Sequence, residues 1–154
     1  VGIGDPSADS YYPQPPALDE LSAIAQRINQ NWADVPDRPD IFMVHNHRIA
    51  QQIDPGLFPV VLFGHSHSLG IDERNGTVYI NAGTTGAAGI RGFQSREPLP
   101  YSLSLLHYAR NADGELELVA VDGVHVSGAG SGFSLQRTFT ESGRNRGKDV
   151  ETEP

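Results

Sequence analysis

Two four-residue apolar runs, Ile41-Phe42-Met43-Val44 and Val60-Val61-Leu62-Phe63, each lead straight into histidine, at His45 and at Gly64-His65. Uninterrupted apolar runs of this length, bounded by turn formers, fit strands buried on both faces of a sheet. In open α/β sheets ligand sites form beyond the carboxyl ends of the strands, where loops converge without breaking the ladder. Both histidines therefore stand where such a site is expected.

The rest of the chain reads as elements around those strands. A short strand over Val1-Gly2-Ile3-Gly4 precedes a proline-rich loop from Asp5 to Pro16. From Ala17 to Trp32, the residues Leu18, Leu21, Ile24, Ala25, Ile28 and Trp32 recur at three- and four-residue spacings, which predicts a helix with one core-facing stripe. Arg48 to Asp54 has room for one or two helical turns before Pro55-Gly56 breaks them. Leu69 to Arg74 and Thr77 to Ile80 flank Asn75-Gly76, a dipeptide that accepts positive φ at both positions and so predicts a hairpin. Asn81 to Gly89 is too rich in glycine for a regular element and reads as a loop. Strands follow over Ser102–Tyr108, Leu116–Val126 and Phe133–Phe139, and the polar, charged stretch from Glu141 to Pro154 reads as a disordered tail. The expected organisation is one α/β domain portion over residues 1–140 followed by that tail, rich in strands.

Composition narrows the partners. With 11 Lys and Arg against 19 Asp and Glu, the formal charge is -8, which argues against a nucleic-acid-binding surface, since neutralising a phosphate backbone takes a basic face. A phosphate ester bound by so acidic a chain calls for a local positive centre, which divalent metals provide. No cysteine is present, so disulfides and thiolate metal ligands are excluded. The Gly128-Ala129-Gly130-Ser131-Gly132 cluster lacks the Lys-Ser/Thr helix opening of a phosphate-binding loop. No apolar run approaches the roughly 20 residues of a membrane helix. A cytoplasmic location is the expectation, with a signal or anchor upstream of Val1 left open, and the oligomeric state is not legible.

Six histidines occur, at 45, 47, 65, 67, 107 and 125, and four of them cluster behind the two apolar strands. Neutral imidazole is a good ligand for first-row divalent metals, and two histidines at i and i+2 in a bent loop can each turn toward a metal. Alone, a His-x-His pair reads equally well as a polar loop. Its context here is a strand, Gly64-His65-Ser66-His67, a hairpin, and then Tyr79-Ile80-Asn81-Ala82-Gly83-Thr84. That order resembles the carboxyl-terminal half of the calcineurin-like metallophosphoesterases, with their Gly-His-x-His motif and following Asn-x-Gly-Ser/Thr segment, and the strand ending at His45 resembles the one carrying that family's single histidine ligand.

The resemblance spans roughly Val1 to Phe139 and implies part of a four-layer α/β/β/α sandwich. It further implies a hydrolase of phosphate mono- or diesters that uses two divalent metals, Mn, Fe or Zn, to activate a hydroxide for attack on phosphorus. By the same resemblance His45 and His65 bind one metal and His67 the other. Asn81 is expected to fix the loop after the hairpin, and Arg91 reads either as a surface residue or as a bidentate donor to a phosphate oxygen of the substrate. His47 reads as a loop residue that either approaches the site or faces solvent, and His107 and His125 as structural.

The family's three amino-terminal motifs, Asp-x-His, Gly-Asp-x-x-Asp and Gly-Asn-His-Asp/Glu, are not found in this sequence. Gly4-Asp5-Pro6-Ser7-Ala8-Asp9 approaches the second with one residue too many between its aspartates. With them go the bridging carboxylate and the histidine that serves the family as general acid. The expectation is a chain that hydrolyses esters poorly or not at all by itself, its missing half lying upstream. The alternative is a catalytically incomplete metal-binding or scaffold module.

Overall fold

In the computed structural model the described residues are 2–3, 17–85, 101–127 and 132–150. Two compact units result, one formed by Val1–Ser66 with Asp72–Asn81 and the other by His67–Ile71 with Ala82–Pro154. The fold is mixed α/β and rich in strands, as expected.

The first unit is built on parallel strands. β1 (Gly2–Ile3), β2 (Ile41–Val44), β3 (Val60–Phe63), β4 (Leu69–Arg74) and β5 (Thr77–Ala82) form a five-stranded sheet in the order β1-β2-β3-β5-β4. The pairs β1/β2, β2/β3 and β3/β5 are parallel, with Met43 opposite Leu62 and Phe63 opposite Asn81. β4 and β5 are the expected hairpin, turning through Asn75 and Gly76 at φ 45° and 78°. Helix α1 (Leu18–Ala33) follows most of the stripe read from its spacing: Leu21, Ala25 and Ile28 are buried and Ile24 and Trp32 partly so, whereas Leu18 in the first turn is 63% exposed. With the short helix α2 (His47–Ala50) they cover Phe42, Val44, Phe58, Val61 and Tyr79 to make the core. Phe42 stacks on Phe58 at 4.6 Å between ring centres, and the Trp32 ring meets Phe58 edge-on at 5.8 Å.

The buried hydroxyls of Thr77 and Tyr79 are satisfied, as the cost of leaving them unpaired demands. The Thr77 hydroxyl donates to the Phe58 carbonyl at 2.7 Å and accepts from the Gly56 amide at 2.8 Å, while the Tyr79 hydroxyl donates to the Ile53 carbonyl at 2.8 Å. One expectation fails in detail. The run Ile41–Val44 predicts burial on both faces of β2, whereas only Phe42 and Val44, the helix-facing pair, are buried and Met43 is 53% exposed. An apolar run shows that both faces tolerate burial and does not require that both be covered.

The second unit centres on an antiparallel sheet of β6 (Tyr101–Arg110), β7 (Leu116–Val126) and β8 (Phe133–Phe139), with β7 in the middle and a register shift at His107/Tyr108. Helix α3 (Glu141–Val150) corrects the reading of a disordered tail. Composition conceals the reason, which is a buried start. Thr140 is 4% exposed; its hydroxyl donates to the Leu118 carbonyl at 2.6 Å and accepts from the Gly143 amide at 3.2 Å, a capping arrangement anchored in β7. Further along, the Arg146 guanidinium donates to the Arg110 carbonyl at 2.6 Å. Tertiary anchoring stabilises a helix that propensity alone leaves marginal. Among the described residues no helix is long and apolar enough to cross a membrane.

Candidate metal centre

At the carboxyl ends of β2, β3 and β5 three segments of the first unit meet. β2 ends at Val44, so His45 is the first residue beyond it, and Asn46 then starts α2: its side chain accepts from the Arg48 amide at 3.0 Å and the residue is 3% exposed. An Asx residue before a helix is the ordinary way to satisfy an orphan amide there. The cap turns the chain so that His47 begins the helix.

β3 delivers Gly64 and His65 beside these residues. The Gly64 amide donates to the His45 carbonyl at 3.1 Å, extending the strand pairing by one bond and holding the two loops together. The Ser66 amide then donates back to the Gly64 carbonyl at 2.9 Å, closing a three-residue turn about His65, whose φ is 71°. His67 also adopts positive φ, 57°. For a residue with a Cβ this region costs about 1–2 kcal/mol, and such costs concentrate where side-chain placement matters. The turn is tied down from β5, because Asn81, itself buried, donates through Nδ2 to Ser66 Oγ at 2.6 Å. The loop expected to be fixed by Asn81 is the one after the hairpin; the bond instead ties the turn after β3, with Asn81 itself inside β5.

The result is a group of imidazoles. The His45 and His65 rings lie edge to face with centres 5.4 Å apart, and the His47 ring lies 5.4 Å from His65, tilted by 28°. His47 Nδ1 is buried with no hydrogen-bond partner among the described residues. Burial lowers the pKa of His47, and the neighbouring His65 and Arg48 lower it further, which favours the uncharged ring. The histidine spacing left His47 at the edge of the site, and the Asn46 cap, legible as an Asx residue preceding a helix, was the signal that could have drawn it in.

His45 and His65 are therefore brought together by the fold. His67 is exposed and falls in the second unit, and Arg91 lies outside the described residues, as do Asp5 and Asp9. Neutral imidazoles suit Mn, Fe or Zn. A two-metal hydrolytic centre, however, holds its ions about 3.5–4 Å apart by oxygen and nitrogen ligands from several residues. Among the described residues no three His, Cys, Asp or Glu side chains converge to hold a metal ion. The donors present fit half of such a centre and not a whole one.

The remaining histidines are placed elsewhere. His107 on β6 meets Asp122 on β7, Nε2 to Oδ2 at 2.8 Å, in keeping with a structural role.

No protein-family model matches the chain, and no curated protein matches it. Three solved structures of vacuolar protein sorting 29 are similar to it at low levels. One, from Cryptosporidium parvum, is 20% identical with a TM-score of 0.39 over 63% of this chain and 49% of that one, so this chain spans about half of that protein's length. A double mutant of Vps29 from Entamoeba histolytica is 13% identical with a TM-score of 0.40, covering 92% of this chain and 97% of the other. Wild-type Vps29 of the same organism, complexed with Zn2+, is 14% identical with a TM-score of 0.38 over 90% and 97% of the two chains.

Proposed function

We propose that this chain contributes His45 and His65, with His67, to the divalent-metal centre of a phosphate-ester hydrolase, and that the remaining ligands come from outside its described residues. The observation that carries the reading is the pairing of His45 and His65, 5.4 Å apart at the carboxyl ends of adjacent parallel strands. The chemistry supports it: two imidazole nitrogen donors face each other across a hydrogen-bonded loop pair, and one of them is held in a costly backbone conformation that Asn81 braces. When bound, the metals supply a nucleophilic hydroxide and charge neutralisation at phosphorus. The residues described here orient ligands and go no further into the reaction.

The absence of a third convergent donor among the described residues favours a second reading, in which the chain is a metal-binding or scaffold module without turnover. Hydrolysis of bis(p-nitrophenyl) phosphate and p-nitrophenyl phosphate by the whole protein with Mn2+ separates the two. The hydrolase reading expects turnover that His65→Ala reduces at least a hundredfold, with the fold intact by circular dichroism. Turnover that survives His65→Ala, or none in the whole protein under any of Mn2+, Fe2+ or Zn2+, removes it.

A further inference from the structure

The antiparallel sheet of the second unit has one face whose composition is unlike a solvated surface. Residues paired directly across an antiparallel ladder point to the same side. Register therefore places Tyr101, Val126 and Phe133 in one row, Leu103, Val124 and Leu135 in the next, then Leu105, Asp122 and Arg137, and finally His107, Ala120 and Phe139. Phe133 is 73% exposed and Leu135 51%, and Tyr101, Leu103, Leu105 and Phe139 are each exposed by 40% or more. With alternate rows about 6.7 Å apart and strands about 4.8 Å apart, the face is about 20 Å long and 10 Å wide between backbone axes. Contiguous exposed apolar faces interrupted by a few fixed polar groups are common at sites of interaction.

Charge on this face is arranged with one sign outward. Asp122, 2% exposed, lies beneath the surface; Arg137 donates to it through Nε and Nη2, both at 2.7 Å, and His107 meets it at 2.8 Å. Arg137 keeps a side-chain exposure of 46% and His107 of 41%, and among the described residues the Arg137 Nη1 has no acceptor. The buried carboxylate thus fixes a guanidinium and an imidazole in the midst of aliphatic and aromatic side chains, and it is the Arg137 guanidinium, not the carboxylate, that is open to a partner.

We propose that this face docks an amphipathic helix of another polypeptide that carries a carboxylate within its apolar stripe. A helix about 10 Å across and 20 Å long, about 13 residues, matches the dimensions of the face, and its acidic residue meets Arg137 Nη1 in a desolvated, charge-assisted contact. A second copy of the chain fits less well. A two-fold face-to-face pairing sets equivalent surfaces against each other and brings cation toward cation.

The test uses two synthetic 14-residue peptides, acetylated and amidated, with Leu and Ala on one face and a single Glu, or Gln in its place, at the middle of that face. Fluorescence anisotropy with the full chain is expected to show the Glu peptide binding about tenfold tighter than the Gln peptide. Arg137→Gln abolishes that difference while both peptides still bind, and Leu135→Lys weakens both by tenfold or more with circular dichroism unchanged. Phe133→Ser serves in its place if Leu135→Lys disturbs the sheet. No binding, equal affinity for the two peptides, indifference to both apolar substitutions, or a dimer in sedimentation velocity that Leu135→Lys dissociates would each overturn the proposal.

Discussion

Gly83, in the Asn-Ala-Gly-Thr segment, is a position where a single added methyl group should be costly. Its φ is 78°, and a Cβ there would lie 1.9 Å from Ser102 Oγ and 3.1 Å from the Leu69 amide nitrogen. Ser102 cannot turn aside freely, because its hydroxyl donates to the Ala82 carbonyl at 3.0 Å and accepts from the Thr84 amide at 3.1 Å. Gly83→Ala therefore carries about 1–2 kcal/mol for the left-handed backbone and about 2 kcal/mol for two lost hydrogen bonds at about 1 kcal/mol each. Reduced freedom of the unfolded chain offsets about 0.5 kcal/mol. The net loss is roughly 3 kcal/mol, a fall in Tm of roughly 6–12 °C for a chain of this size. Urea denaturation of the two single variants and their combination measures this. Ser102→Ala alone should cost about 2 kcal/mol, and the double variant about as much as Gly83→Ala, so the two effects should fall short of additivity by about 2 kcal/mol. A loss under 1 kcal/mol for Gly83→Ala, or additive single effects, would refute the clash with Ser102 as the reason glycine stands there.

Asn81→Ala removes the amide that holds Ser66 and should lower stability by about 1–3 kcal/mol, with faster amide exchange at Ser66 and little change in α1; unaltered exchange at Ser66 would mean that Asn81 does not brace the loop. Hydrogen bonds from Arg137 above all, with His107 adding to them against the opposing effect of burial, lower the Asp122 carboxyl from 3.8 to about 2. The folded pKa lies below the unfolded one, so the stability it contributes is complete above about pH 4 and is lost as pH falls toward 2. Unfolding midpoints measured from pH 6 to 2 should show that loss, Arg137→Gln should shrink it, and Asp122→Asn should remove it; superimposable profiles for the three proteins would refute the assignment.

Much of the fold was legible because local signals and tertiary context agree. The stripe from Leu18 to Trp32 and the Asn75-Gly76 turn describe α1 and the β4/β5 hairpin almost to the residue, since periodicity and positive φ are properties of the chain itself. The apolar runs located β2 and β3 and so placed His45 and His65 correctly at strand ends. What stayed hidden depends on distant partners. Nothing in the composition of Glu141–Val150 announces that Thr140 is anchored to Leu118, and nothing in Ile41–Val44 tells that Met43 faces outward. The contact of His47 with His65 depends on a turn set by Asn46 and cannot be read from spacing alone. The exposed row of Leu103 and Leu135 is equally invisible before the register is known, because alternation in a strand tells which residues share a face and not whether that face is covered.

The central claim is that the histidines behind β2 and β3 are metal ligands. Calorimetric titration of the chain with Zn2+, repeated for His45→Ala and His65→Ala, tests it most directly. The account predicts weak binding of at most one ion per chain, in keeping with half a centre, and at least a tenfold loss of affinity in each variant, with unfolding midpoints unchanged without metal. Zn2+ binding of equal strength in the parent and both variants would contradict it.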